Sequence, residues 1–215
     1  MIRHDFQQGS PEWLDARKGV VTGSRFRDCR DKLKNGDPSK ACHSYAMDIA
    51  RERVGGLAPP KFVNAAMRTG TEQEHFARRD YEKLTGNLVE EVGFFTTDDR
   101  LFGISPDGFI DDDGVLEIKT MVGSDTLFTA VANGDHSAYM DQCNGYLWLL
   151  GRKWVDLVLW APDLHYLSIH RIERDENAIE ALESDLMEFS KLVQKYEKAL
   201  RKAMAANRLA PLAVA

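Results

Sequence analysis

The sequence predicts an α/β protein of the α+β kind: a central mixed β-sheet flanked by helices, with a helical N-terminal region and a long C-terminal helix. Apolar side chains recur at steps of three and four along the first third and the last fifth of the chain, the period of a helix with one buried face. Between them, short runs rich in Val, Ile, Leu, Phe and Thr alternate with turn residues, as strands do. No internal repeat or low-complexity segment breaks this pattern before the Ala-rich tail after Met204.

Ser10-Pro11-Glu12-Trp13 reads as a helix start, with Ser10 as cap, Pro11 in the first helical position and Gly19 as the stop. Thr22 is expected to cap a second helix carrying Phe26, Cys29 and Leu33, ended by Asn35-Gly36-Asp37-Pro38. A third is expected from about Lys40 to Val54, before Gly55-Gly56 and Pro59-Pro60. A fourth spans about Ala65 to Thr85, because Met67, Glu74, Ala77, Tyr81 and Leu84 share a stripe and Gly86 follows. Strands are expected at Leu88 to Thr96, Leu101 to Ser105 and Val115 to Thr120, an antiparallel meander with turns at Asp98-Asp99 and Asp111-Asp112-Asp113-Gly114. A helix from about Ser137 to Leu150 aligns Tyr139, Gln142, Cys143, Tyr146 and Leu149, and strands at Trp154 to Trp160 and Tyr166 to Glu173 complete the sheet. The last helix, about Glu176 to Ala206, carries a heptad-like seam from Ile179 to Leu200 that is expected to pack on its own domain rather than on another chain. One domain over residues 1–215 is expected, with a helical, basic part to residue 60, an α/β core over 61–173, and the C-terminal helix and tail over 174–215.

No apolar run approaches the ~18 to 20 residues of a membrane span, and Met1-Ile2-Arg3-His4-Asp5 lacks the pattern of a signal peptide. A cytoplasmic protein with no membrane partner is expected. Cys29, Cys42 and Cys143 are scattered and too few for a cluster or a cysteine zinc site, so they read as reduced, partly buried thiols. The net charge of −6, from 34 acidic and 28 basic residues, does not advertise a polyanion partner. The basic N-terminal quarter can offset it if Arg17, Arg25, Arg27, Arg30, Lys32, Lys34, Arg51 and Arg53 gather on one face.

Chemistry is carried by Ser105-Pro106-Asp107-Gly108 and Leu116-Glu117-Ile118-Lys119. On a strand Glu117 and Lys119 share one face while Leu116 and Ile118 take the other. Asp107, ten positions before Glu117, lies in a turn that a hairpin folds back toward it. Asp107, Glu117 and the Ile118 carbonyl suffice to cradle Mg²⁺, which needs few protein oxygens because it keeps several waters. Such an ion generates hydroxide and neutralises charge on a phosphodiester, and Lys119 can orient the attacking water. The E-x-K triplet by itself is far more often a solvated strand face, with Asp107 serving only a turn. Glu74, on an otherwise apolar stripe, needs either a cation or an arginine such as Arg78. Gln142 sits on an apolar face, where backbone groups can also satisfy an amide. Arg17 beside a glycine turn and Ser24 in the first turn of the next helix are the parts of a phosphate pocket.

These residues resemble the lambda exonuclease family of phage-type recombination nucleases, within the PD-(D/E)-x-K, restriction-endonuclease-like group. The resemblance spans Trp13 to Trp148. It rests on Trp13, Arg17-x-Gly19-Val20-Val21-Thr22-Gly23-Ser24, Gly70-Thr71-Glu72-Gln73-Glu74, the two segments at Asp107 and Glu117, and Ser137-Ala138-Tyr139-Met140-Asp141-Gln142. It implies that Asp107, Glu117 and the Ile118 carbonyl bind magnesium, with two ions expected and Mn²⁺ as a substitute, and that Glu74 and Gln142 complete the catalytic site. It also implies that Arg17, Ser24 and Ser105 hold a terminal 5′-phosphate and that Met67 abuts the end of the duplex. The activity implied is 5′-to-3′ digestion of one strand of double-stranded DNA, leaving 3′ tails, by a homotrimeric ring that works with a single-strand annealing protein in a phage-infected or prophage-bearing bacterial cell. Gln73 stands where the best-known member has an aromatic residue, and the 55–63 connection and C-terminal helix resemble it little. Two other readings remain open from the residues: an endonuclease of the same fold, and a DNA-binding module without catalysis.

Overall fold

The structure, a computed structural model, describes residues 1–57 and 65–208, the side chains of residues 65–67, 71, 207 and 208 excepted. Among the described residues nine strands form two sheets. The smaller has the order β1(Ile2–His4), β4(Phe94–Thr96), β5(Phe102–Ile104), β2(Val21–Thr22), with only the β5–β2 pair parallel. The larger runs β3(Val89–Glu90), β6(Gly108–Ile110), β7(Gly114–Thr120), β8(Trp154–Ala161), β9(Tyr166–Glu173), antiparallel except for β7 and β8. Parallel neighbours need a long crossover. Here it contains α5(Ser124–Leu127), a π-helical turn at Phe128–Ala132 and α6(Ser137–Leu150).

The remaining helices are α1(Pro11–Ala16), α2(Phe26–Cys29), α3(Lys40–Arg53), α4(Ala65–Thr85) and α7(Glu176–Arg208). Ser10 and Ser39 cap α1 and α3 by accepting from the amides of Trp13 and Cys42. On one side of the larger sheet α4 buries Ala77 and Tyr81 against Ile110, Leu116, Ile118, Val158 and Trp160. The main core lies elsewhere, where α2, α3, α6 and α7 meet through Phe26, Tyr45, Ile49, Tyr146, Leu182, Leu186 and Phe189. The α7 seam therefore packs on its own chain, and Leu200 at its far end is exposed. Asp156, buried on β8, accepts from the Tyr81 hydroxyl (2.7 Å) and from Arg171 (2.8 and 2.9 Å), which fastens α4 to the sheet. Gly108 answers a close approach, since a Cβ there would sit 2.2 Å from Val89 of the neighbouring strand.

Four expectations change. The second helix stops at Cys29, and Thr22 belongs to β2 and caps nothing. Arg30 turns to carboxylates on α6 and α7, a bridge between Lys32 and Pro38 closes the following loop, and Leu33 is exposed. The 88–96 strand is two strands in different sheets, because Glu91-Val92-Gly93 carry the chain from one to the other. The N-terminal part is not helical throughout, since β1 and β2 lie within it. Leu84, counted on the buried stripe, is 68% exposed.

Candidate active site

The β6–β7 hairpin brings the two expected carboxylates together. The Asp107 amide donates to the Leu116 carbonyl (3.1 Å), and the Asp107 carboxylate accepts from the Ile118 amide (2.6 Å). Glu117 and Lys119 share a face of β7 as predicted, but that face is covered by α6, and Glu117 is 3% exposed. A solvated strand face is thereby excluded. Lys119 Nζ lies 2.6 Å from Glu117 Oε1 and donates to Gln142 Oε1 (3.0 Å), while Gln142 Nε2 donates to Glu117 Oε1 (2.7 Å). Tyr146, one turn after Gln142, donates to Glu117 Oε2 (2.5 Å) and accepts from Gln142 Nε2 (2.5 Å). Its role was missed because a tyrosine on an apolar stripe reads as core; its i+4 spacing from Gln142 was the available signal.

The charges do not balance. Burial, then the nearby Glu117 and Glu74, push the Asp107 carboxyl well above the usual range, against the Ile118 amide and Lys119. Burial also raises Glu74, with Glu117 and Glu91 adding to it and Arg78 opposing. Arg78 forms its ion pair with Glu91 (3.1 Å), so Glu74 is not neutralised as a simple helix-face partner of Arg78. Burial works against the Lys119 ammonium, yet Glu117 and Asp107 outweigh it and raise its pKa. Three carboxyl groups thus act on one another around one lysine. Among the described residues no three carboxylate, imidazole or thiol side chains form a closed metal cage. Hard oxygens from Asp107 and Glu117 with a backbone carbonyl still fit Mg²⁺, which binds through few protein oxygens and keeps its waters.

Arg17 lies beside this cluster, its Cζ 4.1 Å above the Trp13 ring and 5.2 Å from that of Phe94. Trp13 Nε1 donates to Ser105 Oγ (3.4 Å), so stacking and a hydrogen bond join Arg17, Trp13 and Ser105. Burial lowers the Arg17 pKa, and no carboxylate among the described residues forms an ion pair with it. Ser24 is exposed in a 3₁₀ turn at Gly23–Arg25 and makes no hydrogen bond to Arg17 or Ser105 among the described residues. The Met67 side chain lies outside the described residues. The N-terminal cations do not gather into one free basic face. Arg25 pairs with Asp28, Arg30 with Asp141 and Asp185, and Lys32 with Asp185, while Arg53 donates to the Gly19 carbonyl. Two surface hollows, of about 320 and 590 Å³, lie at the α2–α7 side and contain none of the site residues.

The fold and this cluster define a nuclease of the PD-(D/E)-x-K class, with Pro106-Asp107 and Glu117-x-Lys119 in its signature places. The chain belongs to the YqaJ-like viral recombinase domain family, matched over residues 12–153, in keeping with the likeness to lambda exonuclease read from the motifs. It is similar to the solved structure of an alkaline exonuclease, LHK-Exo, from Laribacter hongkongensis, at 32% identity over 92% of this chain and 100% of that one, with a TM-score of 0.78. LHK-Exo in complex with dAMP aligns at the same identity and coverage with a TM-score of 0.79. A phage related exonuclease from Haemophilus somnus 129PT shares the fold at 18% identity, over 86% of this chain and 96% of that one, with a TM-score of 0.66. No curated protein matches the sequence.

Proposed function

We propose that the chain is a magnesium-dependent exonuclease that digests one strand of double-stranded DNA from a 5′-phosphorylated end and leaves 3′ single-stranded tails for recombination by strand annealing. The observation that carries this reading is the cluster in which Asp107 is tied to the Ile118 amide and Glu117 to Lys119 and Gln142. Its likeness to an alkaline exonuclease, at 32% identity over the whole of that chain, supports exonuclease chemistry. A nucleoside monophosphate in the second structure of that relative fits release of single nucleotides.

Asp107, Glu117 and the Ile118 carbonyl would hold the metal, with Glu74 beside them. Bound there, Mg²⁺, or Mn²⁺ where supplied, two ions in the full site, would supply a hydroxide at neutral pH and neutralise charge on the phosphate oxygens. Lys119 spends two of its three protons on Gln142 and Glu117, and the third is directed to the attacking water. Gln142 fixes that ammonium by accepting from it while donating to Glu117. Arg17, stacked over the Trp13 ring at 4.1 Å, with Ser105 and Ser24 grips the terminal 5′-phosphate and sets the direction of travel. A ring of three chains around the duplex and a single-strand annealing protein as partner complete the proposal.

Linear duplex carrying a 5′-phosphate is expected to lose nucleotides only when Mg²⁺ or Mn²⁺ is present, and covalently closed circular duplex is expected to stay intact. Asp107→Asn and Lys119→Ala each lower the rate by about 10²–10³-fold or more, with unchanged circular dichroism. Cutting of the closed circle makes the enzyme an endonuclease. Duplex binding without any mass loss makes it a binding module. Undiminished activity in either variant overturns the catalytic assignment.

A further inference from the structure

We infer that Tyr146 is a positioning residue for the hydrolytic centre, one that holds both the Glu117 carboxylate and the Gln142 amide in a single orientation. The inference rests on the reading of Asp107 and Glu117 as the metal-binding carboxylates. Tyr146 is 1% exposed and its ring is part of the main core. Packing alone asks only for a phenyl ring. The hydroxyl goes further: its one proton goes to Glu117 Oε2 (2.5 Å), and its oxygen accepts from Gln142 Nε2 (2.5 Å).

Counting donors and acceptors shows what this fixes. A carboxylate has about four acceptor positions. Glu117 uses two on Oε1, for Lys119 and Gln142, and one on Oε2, for Tyr146, which leaves one for a cation. Gln142 has two N–H groups, directed at Glu117 and Tyr146, and its oxygen faces the Lys119 ammonium. Turning that amide over would set its oxygen against a carboxylate and its N–H groups against an ammonium. Loss of the phenol oxygen removes one of the two acceptors that decide between these orientations and leaves Glu117 Oε2 without its donor. Glu117 is then held only at Oε1, by Lys119 and Gln142, and its Oε2 can swing about that end although the side chain stays buried. Tyr146 and Gln142 are one turn apart on α6, so one helix sets both contacts.

The test is calorimetric titration of Mn²⁺ into wild-type protein, Tyr146→Phe and Glu117→Gln, with thermal unfolding and exonuclease rates measured beside it. Tyr81→Phe is the matched control, because it also removes a buried hydroxyl from a buried carboxylate, but at Asp156. Tyr146→Phe is expected to weaken Mn²⁺ binding about tenfold, the usual effect of losing a group that orients a metal ligand. Its rate recovers toward wild type as Mn²⁺ is raised, and its KM for DNA ends is unchanged. Tyr81→Phe lowers the melting temperature without changing Mn²⁺ affinity. Should the phenylalanine variant not fold, Tyr146→Met offers similar bulk without the hydroxyl. Wild-type Mn²⁺ affinity in Tyr146→Phe, or a loss no larger than in Tyr81→Phe, overturns the inference while Glu117→Gln still marks the site. Absence of Mn²⁺ binding to wild type, or undiminished binding in Glu117→Gln, overturns the metal-site reading itself and the inference with it.

Discussion

On the proposed reading Arg17 separates the hydrolytic part of the site from the part that recognises an end. Its guanidinium carbon lies 4.1 Å from the centre of the Trp13 ring, and burial lowers its pKa against the opposing influence of Tyr45, Tyr146 and Glu52, with no carboxylate among the described residues in an ion pair with it. A partly desolvated cation with free donors is suited to a phosphate dianion. Arg17→Ala is expected to slow initiation on 5′-phosphorylated duplex by roughly 10- to 150-fold, the equivalent of ~1.5–3 kcal/mol for hydrogen bonds to a charged group. On a 5′-hydroxyl end the same variant differs little from wild type. Equal losses on both ends, measured by single-turnover digestion, remove Arg17 from the phosphate pocket. Asp107, Glu117 and Lys119 were legible in the sequence because a strand's alternation and a short hairpin fix their relative places. Glu74 was legible as a carboxylate on an apolar stripe. Tyr146 was not, since its polar function depends on which atoms of β7 lie across from it.

The contact between α2, α6 and α7 is held by a knot of four charges. Arg30 bridges Asp141 (2.5 Å) and Asp185 (2.9 Å), and Lys32 adds a second cation to Asp185 (2.7 Å). Asp141 precedes Gln142, so the knot also fixes the turn of α6 that faces the catalytic strand. Burial tends to raise the Asp185 carboxyl, but Lys32 and Arg30 prevail and bring it below its usual value. A carboxyl lowered on folding stabilises the fold above its unfolded pKa of about 3.9, and that contribution is lost as the pH falls through the still lower folded value. Asp185→Asn is therefore expected to cost about 1 kcal/mol in urea unfolding at pH 7, reduced by partial solvent screening, and to approach wild type as the pH falls through the lowered Asp185 value. A difference that persists unchanged in acid rules out the ion pairs as its source. Helices with local caps, α1, α3 and α6 among them, were legible nearly to the residue. The second helix and the 88–96 strand failed for a common reason: α2 is cut short by partners on α6 and α7, and β3 and β4 are separated by partners in different sheets.

At the scale of the whole molecule, a net charge of −6 must coexist with DNA, and the cations of the N-terminal quarter are partly engaged in internal pairs. In the proposed ring, enclosure of the duplex by several copies would supply what a single acidic chain lacks, since each site would be presented repeatedly to the same molecule. Mass photometry is expected to give about three times the 24.3 kDa chain mass. A monomer both with and without duplex rules out the ring. The two halves of the site also differ in how far along the chain they reach. The contacts among Asp107, Glu117, Lys119, Gln142 and Tyr146 span at most 29 residues, whereas Trp13 meets Ser105 across 92. Closing the longer loop costs about 1 kcal/mol more in chain entropy than closing one of about 25 residues. On the proposed reading, the residues that cut can therefore assemble within a single stretch of nascent chain, while those that grip the DNA end must wait for the N-terminus to be brought back.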